Sequence, residues 1–432
     1  MIEKKQSIHE RALLVGVSCS EAEGFVNSDD ETMDELRELL ETAGGEAVLS
    51  AVQNRKTPDP RTFIGEGKCR ELRELIKGNE IELVVFDNEL GPSQTRALEK
   101  ELDCRVIDRS ALILDIFASR AQTREGKLQV ELAQYQYLLP RLSGMWGHLV
   151  RQTAAGGRSP IGTRGPGETQ LETDRRHVRR KIQKLKEETE GVRRVRAVQR
   201  RGREKAAVPL VCIVGYTNAG KSTLLNALTG AGVHAQGRLF DTLDPTTKSL
   251  VTPDGTQVLV SDTVGFIRNL PHHLVNAFRA TLEEVSYADM LVHVIDVSSP
   301  SWQQHAGVVE KLIDELGAGA VPCITVFNKV DLVPDGDLPR RAGSVYCSAL
   351  TGRGLDALMQ SMVSALSAQR RRVSFVLPYS DAAVLDELYR QASVKRAEYG
   401  EHGIDVEVVA DARVLGRLRR YLPQEEASDE TV

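Results

Sequence analysis

The apolar run LVCIV, residues 210–214, passes without a break into Gly215-Tyr216-Thr217-Asn218-Ala219-Gly220-Lys221-Ser222 and then into the helix-like STLLNALTG. No other feature constrains the chain so tightly. A buried strand feeding a glycine-rich turn and then a helix is the phosphate-binding P-loop in its required context, and it calls for a parallel α/β sheet around it. Glycines let backbone N–H groups curl around a β-phosphate, the helix N-terminus adds positive potential, and Lys221 brings a charge to the β- and γ-phosphates. Ser222 is then a candidate magnesium ligand.

Three further motifs follow in order. The strand-like VLVSD ends in Asp262-Thr263-Val264-Gly265, where Asp262 can hold magnesium through water and the Gly265 N–H can meet a γ-phosphate. Asn328-Lys329-Val330-Asp331 follows the apolar run CITVF. The Asp331 carboxylate can accept from guanine N1–H and the 2-amino group, while the Lys329 stem packs on the ring; adenine would leave that carboxylate unpaired. After SVYC, the stretch Ser348-Ala349-Leu350 offers a backbone N–H to guanine O6. Between the P-loop and DTVG lies Phe240-Asp241-Thr242-Leu243-Asp244-Pro245-Thr246-Thr247, where a switch I segment belongs. One of its three threonines should complete the magnesium shell, and spacing does not choose among them. Together these motifs resemble the Ras-like fold. They imply a site that binds GTP with Mg2+ and hydrolyses it to GDP, with Lys221, Asp262 and Gly265 as the groups acting on the phosphates.

At 432 residues the chain exceeds what one core usually organises. From Ala12 to Asp108, short apolar runs alternate with helical patterns, as in a small parallel α/β domain. Leu128, Leu132, Tyr135, Leu139 and Leu142, then Val178, Ile182, Leu185, Thr189 and Val192, repeat with spacing 4, 3, 4, 3. Two such stripes suggest an antiparallel helical hairpin. The connector between them carries Gly144, Gly147, Gly156, Gly157, Gly162, Gly165 and Gly167 with Arg151, Arg158 and Arg164. The expected order is an N-terminal α/β domain (1–110), the hairpin with its Gly-rich loop (111–205), a P-loop GTPase domain (206–370), and a small C-terminal α+β appendage with a frayed tail (371–432).

The net charge of −5 gives no global sign of nucleic-acid binding, yet residues 151–205 hold 17 Lys/Arg against 7 Asp/Glu. Basic charge is concentrated on the hairpin, whose flexible, Arg-bearing tip suits folded RNA. The six cysteines are scattered with no CxxC pair and are expected to be reduced thiols. MIEKKQSIHE has no apolar signal core and no stretch approaches a membrane span, so a cytoplasmic protein without a membrane segment is expected.

The motifs GYTNAGKS, FDTLDPT, DTVGFIRNLP and NKVD, with GEGK, VVFDNELGPSQ, DRSALILDIFASRAQTREGKLQVELAQYQYLLPRL and GPGETQLETDRR, resemble the HflX family of ribosome-associated GTPases, in the Obg–HflX branch. The resemblance extends over nearly the whole chain. It implies a monomeric GTPase that binds the large ribosomal subunit and its rRNA, not DNA, and uses GTP to dissociate stalled or idle ribosomes. It also implies that the hairpin loop reaches the peptidyl-transferase region and that Thr242 is the switch I metal ligand. Phe266 stands where Ras-like enzymes place the glutamine that orients water, so hydrolysis should be slow alone and stimulated by the ribosome, with the missing orienting group supplied by a partner or by another residue. Two other readings compete: an RNA-binding ribosome assembly factor in which nucleotide only controls association, and a second phosphate loop at Gly65-Glu66-Gly67-Lys68, which reads better as a tight turn. Arg268, His272 and His273 near switch II read as surface-loop residues, and Trp146 and Trp302 as core or interface.

Overall fold

The structure, a computed structural model, describes residues 10–145, 166–230, 239–268 and 284–421, apart from 23, 24, 26, 207 and 369. Arg151, Arg158, Arg164, Trp146, the connector glycines between 147 and 165, His272, His273 and the acidic tail lie outside the described residues. The chain forms two compact units that interleave in sequence: one of residues 1–191, 235–244 and 264–281, the other of 192–234, 245–263 and 282–432.

The first unit is built on four parallel strands, β1 (Arg11–Cys19), β2 (Glu46–Arg55), β3 (Leu83–Phe86) and β4 (Arg105–Asp108), in the order β2-β1-β3-β4. Each crossover carries a helix: α1 (Asp30–Ala43), α2 (Glu66–Gly78) and α3 (Pro92–Leu102). The helix ends follow from local chemistry. Asp29 caps α1 by accepting from the Thr32 N–H at 2.8 Å, and Gly44 ends it in the left-handed region at φ 94°. Gly65 of the GEGK stretch is simply the residue before α2, and Lys68 pairs with Glu71 at 2.7 Å. Leu13, Val15, Val84, Phe86, Leu72 and Leu98 form the core beneath these helices. Asp108, the last residue of β4, at once caps α4 (Arg109–Arg120) through the Ala111 N–H at 2.9 Å. Beyond a short elbow come α5 (Arg124–Met145) and α6 (Pro166–Ala206). The stripes fall as the spacing requires: Leu128, Leu132, Ile182 and Leu185 are buried, and Lys181 on α6 pairs with Glu131 on α5 at 3.0 Å.

The second unit holds a six-stranded sheet in the order β10-β9-β8-β5-β7-β6. Its strands are β5 (Leu210–Gly215), β6 (Thr246–Val251), β7 (Gln257–Asp262), β8 (Met290–Asp296), β9 (Cys323–Asn328) and β10 (Val345–Tyr346). All neighbours are parallel except β6, which pairs antiparallel with β7. The helices α7 (Lys221–Thr229), α8 (Trp302–Glu315) and α9 (Leu355–Ala368) accompany it. Trp302 meets Phe327 edge-on at 5.3 Å, a core contact. The appendage is an antiparallel sheet, β11 (Arg370–Leu377), β12 (Ser393–Gly400) and β13 (Gly403–Asp411) in the order β11-β13-β12, with α10 (Ala383–Gln391) and α11 (Ala412–Leu418). Sequence reading missed β6 and β12. In β12 a register shift between Val394 and Arg396 breaks the period-two pattern that would have shown it.

Candidate nucleotide site

The carboxyl ends of the parallel strands β5, β7, β8 and β9 bring Gly215, Asp262, Asp296 and Asn328 to one edge of the sheet, where α/β folds bind their ligands. The P-loop fits there only because of its glycines. A Cβ on Gly215, at φ 159°, would sit 2.3 Å from the Val294 carbonyl oxygen, and one on Gly220, at φ 92°, would sit 2.3 Å from Asn328 Nδ2. Asn218 takes the left-handed conformation at φ 59° and is exposed at the loop tip.

Asn328 binds the site together. Its Nδ2 donates to the Ala219 carbonyl at 2.8 Å, and its Oδ1 accepts from the Ala349 N–H at 3.0 Å. One buried amide therefore joins the P-loop, the NKVD turn and the Ser348-Ala349-Leu350 stretch. Val330 is buried and its N–H donates to the Cys347 carbonyl, whereas Asp331 and Leu350 are exposed. Lys329, at φ 65°, pairs with Asp296 Oδ2 at 2.6 Å. Sequence reading missed Asp296; the signal was its place at the end of MLVHVID, in register with Asn328. It also missed His305, whose ring stacks on that of Tyr216 at 4.0 Å and 9°.

On the phosphate side, the Lys221 Nζ donates to the Tyr216 carbonyl at 2.7 Å. Burial pulls its pKa down to about 8, against a smaller upward pull from the Asp262 carboxylate. The Ser222 hydroxyl donates to Asp262 Oδ2 at 2.6 Å, and the Thr263 hydroxyl to the Ile213 carbonyl at 2.8 Å. Thr217 Oγ1 is buried without a hydrogen-bond partner. Among the described residues no cluster of three or more His, Cys, Asp or Glu could hold a metal ion.

Residues 240–244 and 264–268 belong to the first unit. Phe240 lies edge-on against Phe117, Asp241 faces Arg120 at 3.8 Å, Thr242 is half-buried, Leu243 is buried, and Asp244 accepts from the Gln122 and Thr123 N–H groups. Val264, Gly265 and Phe266 are buried. Arg268 is not a loose loop residue: it pairs with Glu31 at 2.9 Å, and its carbonyl accepts from Arg109 at 3.3 Å. Arg109 is itself buried against Asp87 at 2.9 Å and Glu35. Thr246 and Thr247 are in β6, Thr247 bonding Ser261 at 3.1 Å, which separates them from Thr242 in the irregular segment before the strand.

A P-loop, an aspartate closing the adjacent strand and an NKVD turn joined to the P-loop by its own asparagine define a P-loop GTPase. Comparison with known proteins narrows the class. Residues 30–118 match the family described as GTP-binding GTPase N-terminal, 120–203 GTP-binding GTPase Middle Region, and 210–329 50S ribosome-binding GTPase. GTPase HflX of Caldanaerobacter subterraneus subsp. tengcongensis is 46% identical over 96% of this chain and 94% of its own, and GTPase HflX of Escherichia coli K12 is 42% identical over 91% and 92%. A GTP-binding protein from Sulfolobus solfataricus, solved with GDP, aligns over 83% of this chain and 99% of its own at 24% identity and a TM-score of 0.43. The chain belongs to the GTPase HflX family and is a GTP-hydrolysing enzyme. Among the described residues no helix is long and apolar enough to cross a membrane.

Proposed function

We propose that this chain is a cytoplasmic GTPase that binds the large ribosomal subunit through its rRNA and uses GTP to separate stalled or idle ribosomes into subunits. The observation that carries the nucleotide half is the Asn328 bridge, which fixes the phosphate and base loops to each other. Support for the ribosomal half comes from the match of residues 210–329 to ribosome-binding GTPases and from the basic surplus of residues 151–205. In this reading residues 215–222 wrap the phosphates, Asp331 accepts from guanine, and a backbone N–H of the Ser348-Ala349-Leu350 stretch meets O6. The phosphates bring Lys221 Nζ a partner stronger than the Tyr216 carbonyl, and Gly265 offers its N–H to the γ-phosphate.

The residues fit magnesium. A hydroxyl and a carboxylate oxygen 2.6 Å apart, Ser222 Oγ and Asp262 Oδ2, are the hard oxygen donors that ion prefers. Ser222 would ligate it directly, Thr242 would join in the GTP state, and Asp262 would act through water. When bound, the ion neutralises charge on the phosphates. Phe266 can neither orient nor polarise water, so turnover by the protein alone is slow and a ribosomal group completes the site. Sedimentation of intact ribosomes with the protein and a non-hydrolysable GTP analogue tests this. Subunits in place of whole ribosomes are expected; protein that binds while the ribosomes stay whole would favour an assembly factor instead.

A further inference from the structure

Asp244 makes contacts that nucleotide chemistry does not ask of it. Its carboxylate accepts from the N–H groups of Gln122 and Thr123, both at 2.8 Å, and from the Thr123 hydroxyl. These donors form the elbow between α4 and α5, at the N-terminus of α5, where the helix dipole favours an anion. The elbow is cut to receive it. A Cβ on Gly126 would stand 2.3 Å from Asp244 Oδ1 and 3.2 Å from its Cγ. Glycine in a helix costs about 1 kcal/mol relative to alanine, so the first turn of α5 gives up helix stability at the one place where the carboxylate approaches.

Two more contacts fall on the last turn of α4, which leads into the elbow. The Phe240 ring sits 4.7 Å from that of Phe117 at 82°, with the Phe240 backbone at φ 55°, which a bulky residue rarely adopts. Asp241 faces Arg120 at 3.8 Å. Thr242 is thus bracketed by anchored residues on both sides.

We infer that Asp244 is a positioning residue for the triphosphate state: by latching switch I onto the α4–α5 elbow it pre-orders Thr242, so that GTP but not GDP gains affinity from the latch. The inference rests on the assignment of residues 240–244 to switch I. Holding a segment in place before it meets its ligand removes part of the ordering cost of binding. GDP lacks the γ-phosphate that switch I reads and gains nothing from the same order. Coupling is reciprocal, so a GTP analogue should in turn tighten the latch.

The test uses the full chain with Asp244→Ala, Gly126→Ala and Thr242→Ala, titrated with GDP and with a non-hydrolysable GTP analogue. Gly126→Ala evicts the carboxylate while improving helix propensity, so it serves even if Asp244→Ala does not fold. Both latch variants should lose affinity for the analogue on the order of tenfold, the equivalent of ordering one residue's backbone, with GDP affinity unchanged. In the wild type, amide exchange at Gln122 and Thr123 should be slower with the analogue than with GDP. Equal weakening of both nucleotides would make Asp244 a plain structural brace and overturn the inference. Selective loss with Thr242→Ala but not with either latch variant would overturn the latch alone. No selective loss with Thr242→Ala would overturn the switch I assignment itself.

Discussion

Asn328 reaches Ala219 across 109 residues of chain, and Asp244 reaches Gln122 across 122. The distances are alike, yet the first contact belongs to a motif readable in the sequence and the second does not. The difference lies in what dictates each. In the proposed function Asn328, Gly215, Gly220 and Lys221 answer to a phosphate and a base, ligands whose shape is the same in every protein that binds them, so their types and spacing recur. Asp244, Phe240 and Gly126 answer to the packing of one architecture, and an aspartate beside a proline or a glycine in a helix announces nothing. The base and phosphate loops share the edge of one sheet, whereas residues 240–244 and 264–268 belong to the first unit and are held by side chains and backbone N–H groups within it.

The largest effect expected from breaking the first half of that comparison is on base choice. Wild-type protein should prefer GTP over ATP by about 10⁴-fold, because only guanine satisfies Asp331, and Asp331→Asn should move the preference to xanthine nucleotides. Competition binding with the three nucleotides checks it; equal affinity for ATP and GTP would refute the role of Asp331.

Breaking the second half should leave the nucleotide loops intact. Arg109→Leu takes the arginine partner from the buried Asp87 and the half-buried Glu35 and should destabilise the first unit by about 3–5 kcal/mol. Hydrogen exchange in β1, β3 and α4 would report the loss, while GDP affinity should hold. A parallel fall in GDP affinity would show that loss of the Arg109 pairs reaches the nucleotide loops.

Asn328→Ala sharpens the contrast from the other side. It removes the bonds to Ala219 and Ala349, each worth about 1–3 kcal/mol when a buried partner is left unpaired. Calorimetric GDP affinity should drop at least about tenfold, with exchange at Gln122 and Thr123 unchanged.

The smallest effect is on pH dependence. In the free protein Lys221 titrates near 8, and bound phosphates favour its charged form and raise that value. Below pH 8 the lysine is already charged and affinity is flat. Above it, binding must take up a proton, so affinity should fall by up to about tenfold per pH unit until the bound-state pKa is reached. Calorimetry at pH 9 in buffers of different ionisation enthalpy should detect the proton uptake, and Lys221→Arg should abolish it.

Most of the fold was legible because apolar runs ending in glycine or aspartate mark parallel strands, and both helical stripes showed their period. β6 was not: TTKSLV exposes Lys248, Ser249 and Val251 and holds its place by pairing with β7. Within the site, Asp296 escaped notice because a strand-ending aspartate has many structural uses. His305 escaped because ring stacking leaves no trace in spacing.

The most direct measurement is steady-state GTP turnover by the full chain, alone and with purified large ribosomal subunits. Phe266 cannot orient the attacking water, so a low rate alone and a rise of at least about tenfold with large subunits are expected. A rate that is high without them, or unchanged when they are added, would contradict the assignment of this chain as a GTPase completed by the ribosome.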